Sequence, residues 1–403
     1  MPTVKPFKAI RPAPDKAAFV ASKSYEDYDE RELNAVLEYN PFSFLHIINP
    51  GFKFHKDTTG QERFKLVRNR YLEFLEESVF IKDEEPCFYL YQLQQGDFSS
   101  LGLFCTTSIQ DYQKDKIKKH EAVLQKRVEL FTEYLSTVGF NAEPVLMTYK
   151  DDGTISSLLQ EQMQRAFDYD FTTTDKIRHT LWRIDDPETI QSLEKKFLEQ
   201  DVFYIADGHH RSASSNLLTN TKKGNNQNYF LSYLIPENEI KVSGFDRLIT
   251  DLNGLTVEEF LVRLDEYFRI EEKKFVAFRP KIKHQFTMYL NGIFYLLHLR
   301  KTAYAFTDEL SKLDTQILFK TILEPILEIK DLTNDRRIGY SQGKPSLLEL
   351  KDNVDNGKYK VGFSTTPITI EEIKAIADAG LVMPPKSTYI EPKLRSGLTI
   401  YEI

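Results

Sequence analysis

Apolar positions along this chain fall into short unbroken runs, with a few longer stripes of helical period between them. Residues 87–93 and 101–106 are apolar and aromatic runs joined by Gly96-Asp97-Phe98-Ser99-Ser100, which predicts an antiparallel hairpin. Residues 285–296 carry two such runs around Asn291-Gly292, the strongest short hairpin signal. Further strands are predicted at 42–48, 145–149, 179–184, 202–206, 229–235, 241–250, 359–364 and 398–403, with 17–20 starting another. Phe64, Val67, Tyr71, Phe74 and Leu75 mark a helix over 63–79. Val123, Leu124, Val128, Leu130, Phe131, Tyr134 and Leu135 form the apolar stripe of a helix over 117–136. Other helices are predicted at 154–169, 211–218, 257–267, 313–329 and 369–379. Asp186-Pro187 caps one more, ending near 197, because Asp suits the cap and Pro the first helical position. Strand 179–184, this helix and strand 202–206 read as a βαβ-like unit. Ligands favour the C-terminal edge of such a strand.

These elements predict an α/β or α+β fold with mixed sheets. A main lobe is expected over 1–250 and a second over 251–403, where the pattern changes character at 255–300. A chain of 403 residues has room for two or three domains and an ample core. The net charge of −7 argues against a sequence-independent nucleic-acid binder, which needs basic surface. Cys87 and Cys105 are the only cysteines, each in an apolar run, so buried free thiols are expected. No Cys-x-x-Cys occurs, which disfavours a zinc ribbon or a dithiol site. The N-terminus has no apolar signal core, and no run approaches ~18 apolar residues. A cytoplasmic chain without a membrane partner is therefore expected. The sequence is silent on oligomeric state.

The densest chemistry follows the predicted strand 202–206. Asp207-Gly208 is a turn pair, and His209, His210, Arg211 and Ser212 open the next helix. Backbone N–H groups converge at such a turn and suit an anion. Arg211 can grip a phosphate with two parallel bonds. Asp207 can accept a hydroxyl proton or hold magnesium. Phosphoryl transfer needs positioning and charge neutralisation, which these residue types supply. The bland alternative is an Asp cap beside solvated histidines. His209 and His210 are adjacent and cannot point the same way, which disfavours a two-histidine metal site; one of them can bind phosphate or relay protons while the other packs, and His209 is the candidate to hold phosphate beside Arg211. Ser212 and Ser214 lie in the helix, off any Gly-x-Ser-x-Gly elbow. Glu121 is a second candidate base, against a reading as part of a charged first turn. Lys386, Ser387, Thr388, Lys393 and Arg395 place cations and hydroxyls in a Pro-stiffened loop, a suitable phosphate clamp. The basic loop at 221–227 reads as a flap or as solvated chain. Gly343-Lys344 lacks the spacing of a P-loop. Asn40 and His46 read as structural.

Tyr204-Ile205-Ala206-Asp207-Gly208-His209-His210-Arg211 resembles the signature of a widespread bacterial family of unknown function. The resemblance extends through Pro6-Phe7-Lys8-Ala9-Ile10-Arg11-Pro12, Asn40-Pro41-Phe42-Ser43-Phe44-Leu45-His46, Ile117-Lys118-Lys119-His120-Glu121, Met383-Pro384-Pro385-Lys386-Ser387-Thr388 and Glu391-Pro392-Lys393-Leu394-Arg395-Ser396-Gly397. The central segment is also similar to the ParB/sulfiredoxin superfamily, which includes free-serine kinases. A sulfiredoxin-type Cys is missing from the turn. The resemblance implies a ParB-like core, a nucleotide such as ATP or ADP with magnesium, and a small-molecule substrate. Its sharpest form is a free-serine kinase making O-phosphoserine, with the C-terminal tail returning to the turn. The alternatives are a phosphohydrolase acting on a phosphoester such as phosphoserine, and a non-enzymatic module that senses nucleotide or binds nucleic acid.

Overall fold

The computed structural model describes residues 1–221, 224, 226–341 and 346–403. The loop expected at 221–227 falls partly on 222, 223 and 225, and Gly343-Lys344 on 342–345, outside the described residues. Contacts divide the chain into two units. The first comprises Met1–Lys118, Val123–Ile240 and Pro392–Ile403; the second comprises Lys119–Ala122 and Lys241–Glu391. The break therefore falls at 240/241 where 250 was expected, and the chain's last segment folds with the first unit. The expected clamp is divided accordingly, with Lys386, Ser387 and Thr388 in the second unit and Lys393 and Arg395 in the first.

The first unit is built on a mixed nine-stranded sheet. Its strands are β1 (Val4–Lys5), β2 (Phe88–Gln95), β3 (Phe98–Ser108), β4 (Ile117–Lys118), β5 (Val145–Tyr149), β6 (Tyr169–Thr172), β7 (Arg178–Ile184), β8 (Phe203–Asp207) and β9 (Tyr229–Pro236). They lie in the order β4-β8-β5-β9-β3-β2-β7-β6, with β1 beside β3. The β2–β3 hairpin turns on Gly96-Asp97, with Gly96 at φ +57°. Helices α1 (Gln125–Val138), α2 (Pro187–Leu198) and α3 (His209–Thr221) accompany the sheet. As expected, the Asp186 carboxylate caps α2 by accepting from the Thr189 N–H at 2.8 Å. The βαβ expectation needs correction. Strands β7 and β8 run parallel in one sheet, but β5, β9, β3 and β2 lie between them.

Alternation along the strands sends Phe88, Leu103, Cys105, Val145, Met147, Trp182, Phe203 and Ile205 to one apolar core. A second core gathers Ile10, Phe44, Ile47, Val67, Tyr71, Phe140 and Ile400. Four sequence readings fail here. Residues 17–20 and 45–48, expected as strands, are one-turn helices, Ala17–Val20 and Leu45–Ile48. Phe44, Leu45 and Ile47 are all buried, which a one-sided strand would not allow. Residues 117–124 are not helical. Ile117 pairs with Phe203 in parallel β-structure, and the helix begins only at Gln125. The predicted helix over 154–169 stops at Gln162, and Tyr169 opens β6.

The second unit carries a six-stranded, wholly antiparallel sheet. Its strands are β10 (Arg247–Ile249), β11 (Phe268–Lys274), β12 (Gln285–Leu290), β13 (Ile293–Leu299), β14 (Ile338–Tyr340) and β15 (Val361–Ser364), in the order β11-β13-β12-β15-β10-β14. The β12–β13 turn is Asn291-Gly292 with φ of +50° and +83°, the pair of left-handed residues that this turn demands. Phe260 and Leu264 of the helix Val257–Tyr267 pack with Phe268, Phe286 and Met288 in the core. Among the described residues no helix is long and apolar enough to cross a membrane.

Candidate functional site

The site begins with an irregularity in β8. Tyr204 pairs with Thr148 and Ile205 with Met147, and then Asp207, not Ala206, opposes Leu146. The extra residue flips the register by one position. Without it Asp207 would face the same way as Phe203 and Ile205, into the apolar core. With it the carboxylate stands on the opposite face, which also carries Tyr91, Phe104, His179 and Tyr233. Gly208 then turns the chain at φ +100°, a region closed to most side chains, and α3 follows at once.

Arg211, one helical turn on, donates to Asp207 Oδ2 and to the Pro144 carbonyl. Lys393 Nζ lies 3.5 Å from Asp207 Oδ1. The tail thus reaches the turn within the first unit, bringing together residues far apart in sequence. Burial alone would raise the Asp207 carboxyl, but Arg211 and Lys393 outweigh it and hold it at about 2. Asp207 is therefore ionised at neutral pH and is a weak proton acceptor.

Asp27 joins the same electrostatic neighbourhood. It lies on the one-turn helix Tyr25–Asp27, which ion-pairs through Glu26 to Arg127 of α1 at 2.6 Å. Desolvation raises the Asp27 carboxyl; Lys393 pulls it down, while Asp207 and Glu26 push it up, and the net shift is upward. The sequence reading treated this acidic stretch as a helix start or solvated loop. Only the folded chain sets Asp27 near Lys393 and Asp207.

Other expected site residues take different places. His209 is buried, and Ser212 is fully buried with its hydroxyl donating to the His209 carbonyl at 3.0 Å. The small residues Ser212, Ala213, Ser214 and Ser215 are buried, and the Ser214 carbonyl accepts from Thr132 of α1 at 3.2 Å. His210 Nε2 accepts from the Leu124 N–H at 3.1 Å, at the start of α1. The two histidines diverge, as adjacency requires. Arg395 is only 6% exposed and is spent on Asp175 at 2.5 Å and Thr173 Oγ1 at 3.3 Å. Thr173 also bonds His179 Nε2 at 3.2 Å, and Tyr91 bonds its Nδ1 at 2.6 Å. Burial holds His179 down at about 3, so this ring stays neutral. Arg395 is thus a buried strut, and the expectation that it clamps phosphate is corrected.

The motif segments at 40–46 and 392–397 meet in the first unit. Ser22 and Ser396 exchange backbone bonds, and the Ser22 and Ser43 hydroxyls lie 3.0 Å apart. Gly397, at φ +83°, presses on Phe44, where a Cβ would come within 2.8 Å of the ring. Asn40 and His46 are structural: the Asn40 amide donates to the Phe19 carbonyl at 2.7 Å, and His46 bonds the Asn40 carbonyl at 3.1 Å. Arg11 is equally structural, buried against Asp83 at 2.8 Å.

In the second unit Glu121 bridges to Met383 in extended chain, not on a helix. Lys386 adopts φ +55°, its carbonyl accepts from Arg247 at 3.1 Å, and its ammonium sits 5.4 Å from the centre of the Phe245 ring. Ser387 is buried and donates to the Pro384 carbonyl at 2.7 Å. Thr388 is half-buried. Cys87 and Cys105 are buried free thiols.

The chain belongs to the family described as protein of unknown function (DUF1015), which it matches over residues 4–316. No curated protein matches it. Among solved structures it is similar to a free serine kinase mutant in complex with AMP, at 14% identity and TM-score 0.40 over 74% of this chain and 91% of that one. It is also similar to SbnI with a C-terminal truncation from Staphylococcus aureus, at 15% identity and TM-score 0.41 over 74% and 87%. A conserved hypothetical protein from Pyrococcus furiosus aligns at 17% identity and TM-score 0.37 over 74% and 94%.

Proposed function

We propose that the first unit is a small-molecule phosphotransferase that takes its phosphoryl group from ATP or ADP, with free serine as the acceptor. The observation that carries the reading is the Asp207 carboxylate, placed by a bulge at the strand's end and held between Arg211 and Lys393 at the start of α3. A bound phosphate competes for those two cations, and the N–H groups at the start of α3 add positive potential. Asp207 then keeps the cations in place and aligns the acceptor by hydrogen bonding. The base is Asp27, an exposed carboxylate on the one-turn helix Tyr25–Asp27 in the field of Lys393 and Asp207, with its carboxyl shifted upward where that of Asp207 is held down. In the step, the acceptor oxygen bonds the transferred phosphorus, the bond to the nucleotide's leaving oxygen breaks, and the hydroxyl proton passes to Asp27.

Magnesium does not fit Asp207 in this arrangement, because both carboxylate oxygens already face cations.

The test is incubation of the full chain with serine and each nucleotide, with phosphoserine resolved by chromatography. Phosphoserine formed only with nucleotide supports the proposal. Phosphate released from phosphoserine without nucleotide replaces the kinase by a phosphohydrolase. Nucleotide that neither binds nor reacts overturns both the donor and the sensing alternative. Arg211→Ala should weaken phosphate-ligand binding by about 1.5–3 kcal/mol, the range for a charge-assisted hydrogen bond.

A further inference from the structure

We infer that the β11–β12 loop of the second unit is a docking surface for an anionic lipid bilayer. This lies outside the phosphotransferase reading and does not depend on it.

The charge pattern is the first observation. Residues 273–307 contain seven Lys or Arg and no Asp or Glu, in a chain of net charge −7. Several of these cations are used internally: Lys273 pairs with Glu271, Lys283 with Glu372 and Arg300 with Asp265. Lys274, Lys281 and Lys301 have no carboxylate partner among the described residues.

Exposed apolar side chains are the second. Phe275 is 84% exposed, and Val276 and Ile282 are each 65% exposed. The loop is nonetheless held in place. A bulge between Glu272 and Lys274, with Lys274 at φ +53°, swings the chain out of β11. The Val276 N–H bonds the Lys273 carbonyl at 3.1 Å, the Phe278 carbonyl accepts from Thr287, and Pro280 is buried. Phe278 and Pro280 pack inward while Phe275, Val276 and Ile282 are left outside, alternating with Lys274 and Lys281.

The chemistry of the loop selects the partner. Residues 275–282 carry no hydroxyl, amide or carboxyl side chain; their polar side chains are the cations Arg279 and Lys281, which favour an anionic partner. Phe275 offers a flat face to a nucleobase, but Val276 and Ile282 do not, so two of the three exposed apolar side chains would add no stacking to a nucleic-acid contact. Exposed apolar side chains flanked by Lys274 and Lys281 match the boundary between acyl chains and acidic headgroups.

The test is sedimentation of the full chain with vesicles of phosphatidylcholine alone and with added phosphatidylserine. Binding is expected only with the anionic lipid, and it weakens as salt rises. Lys274→Glu with Lys281→Glu should lower partitioning by more than about twentyfold, since each lysine near an anionic surface contributes about fivefold. Phe275→Ser with Ile282→Ser should weaken it roughly tenfold or more. Unchanged circular dichroism of these surface variants confirms that the fold is kept. Equal binding to both vesicles, no binding to either, or partitioning indifferent to all four substitutions overturns the inference. Retention of a single-stranded oligonucleotide that depends on the same residues would assign the surface to nucleic acid instead.

Discussion

Asp207→Asn tests whether the carboxylate is held ionised by its neighbours. Its pKa in the folded protein is about 2, against an ordinary 3.8. Taken whole, that difference corresponds to about 2.5 kcal/mol. The side chain is 41% exposed, so solvent screening cuts the contribution to about 1 kcal/mol. Because the folded-state value is depressed, the stabilisation is complete above a pH of about 4 and is lost as the pH falls toward about 2. Trp182 is the chain's single Trp and lies in the core of the unit that holds Asp207. Its fluorescence during urea titration follows that unit's unfolding. At neutral pH the variant should be less stable than the parent by about 1 kcal/mol, and the two should converge as the pH drops from about 4 to about 2. A gap that stays constant down the acid limb, or no gap at neutral pH, would refute the clamp by Arg211 and Lys393.

Three further outcomes follow from the packing. Arg11→Met strands the buried Asp83 carboxylate, leaving it Arg183 at 3.4 Å as its one ion-pair partner among the described residues, and should cost about 3–5 kcal/mol by the same fluorescence titration. Gly397→Ala forces an L-residue to φ +83° and sets a Cβ against the Phe44 ring, so unfolding should move to lower urea by about 1–3 kcal/mol. Burial pushes the Cys87 thiol up to about 11 and Cys105 well above its ordinary value, so iodoacetamide at neutral pH should label neither until the protein unfolds; labelling of the native chain would reopen thiol chemistry.

Local rules settled what depends on neighbours in sequence. Asn291-Gly292 had to be a turn, because few other pairs tolerate the left-handed backbone that hairpin needs, whereas the turn expected over 96–100 tightens to Gly96-Asp97 because Phe98, Ser99 and Ser100 pair across the ladder. Asp186-Pro187 had to start a helix, and Asp207-Gly208 had to separate a strand from one. Residues 17–20 and 45–48 misled because a short apolar run states that it is buried without stating its backbone shape. The same ambiguity carried the predicted helix back to 117, where pairing with β8 prevailed over helical period. Tertiary structure alone decided how the candidate site's residues are arranged. The bulge at Ala206 chose the face on which Asp207 stands, and register of that kind is set by the partner strand, not by the strand's own residues. Lys393 reached Asp207 across the length of the chain, the exposed one-turn helix Tyr25–Asp27 set Asp27 in the same electrostatic neighbourhood, and Arg395, a second cation of the same motif, was spent on Asp175. A charged side chain's role is fixed by which opposite charge it meets and how much water it keeps, and both are properties of the packed chain.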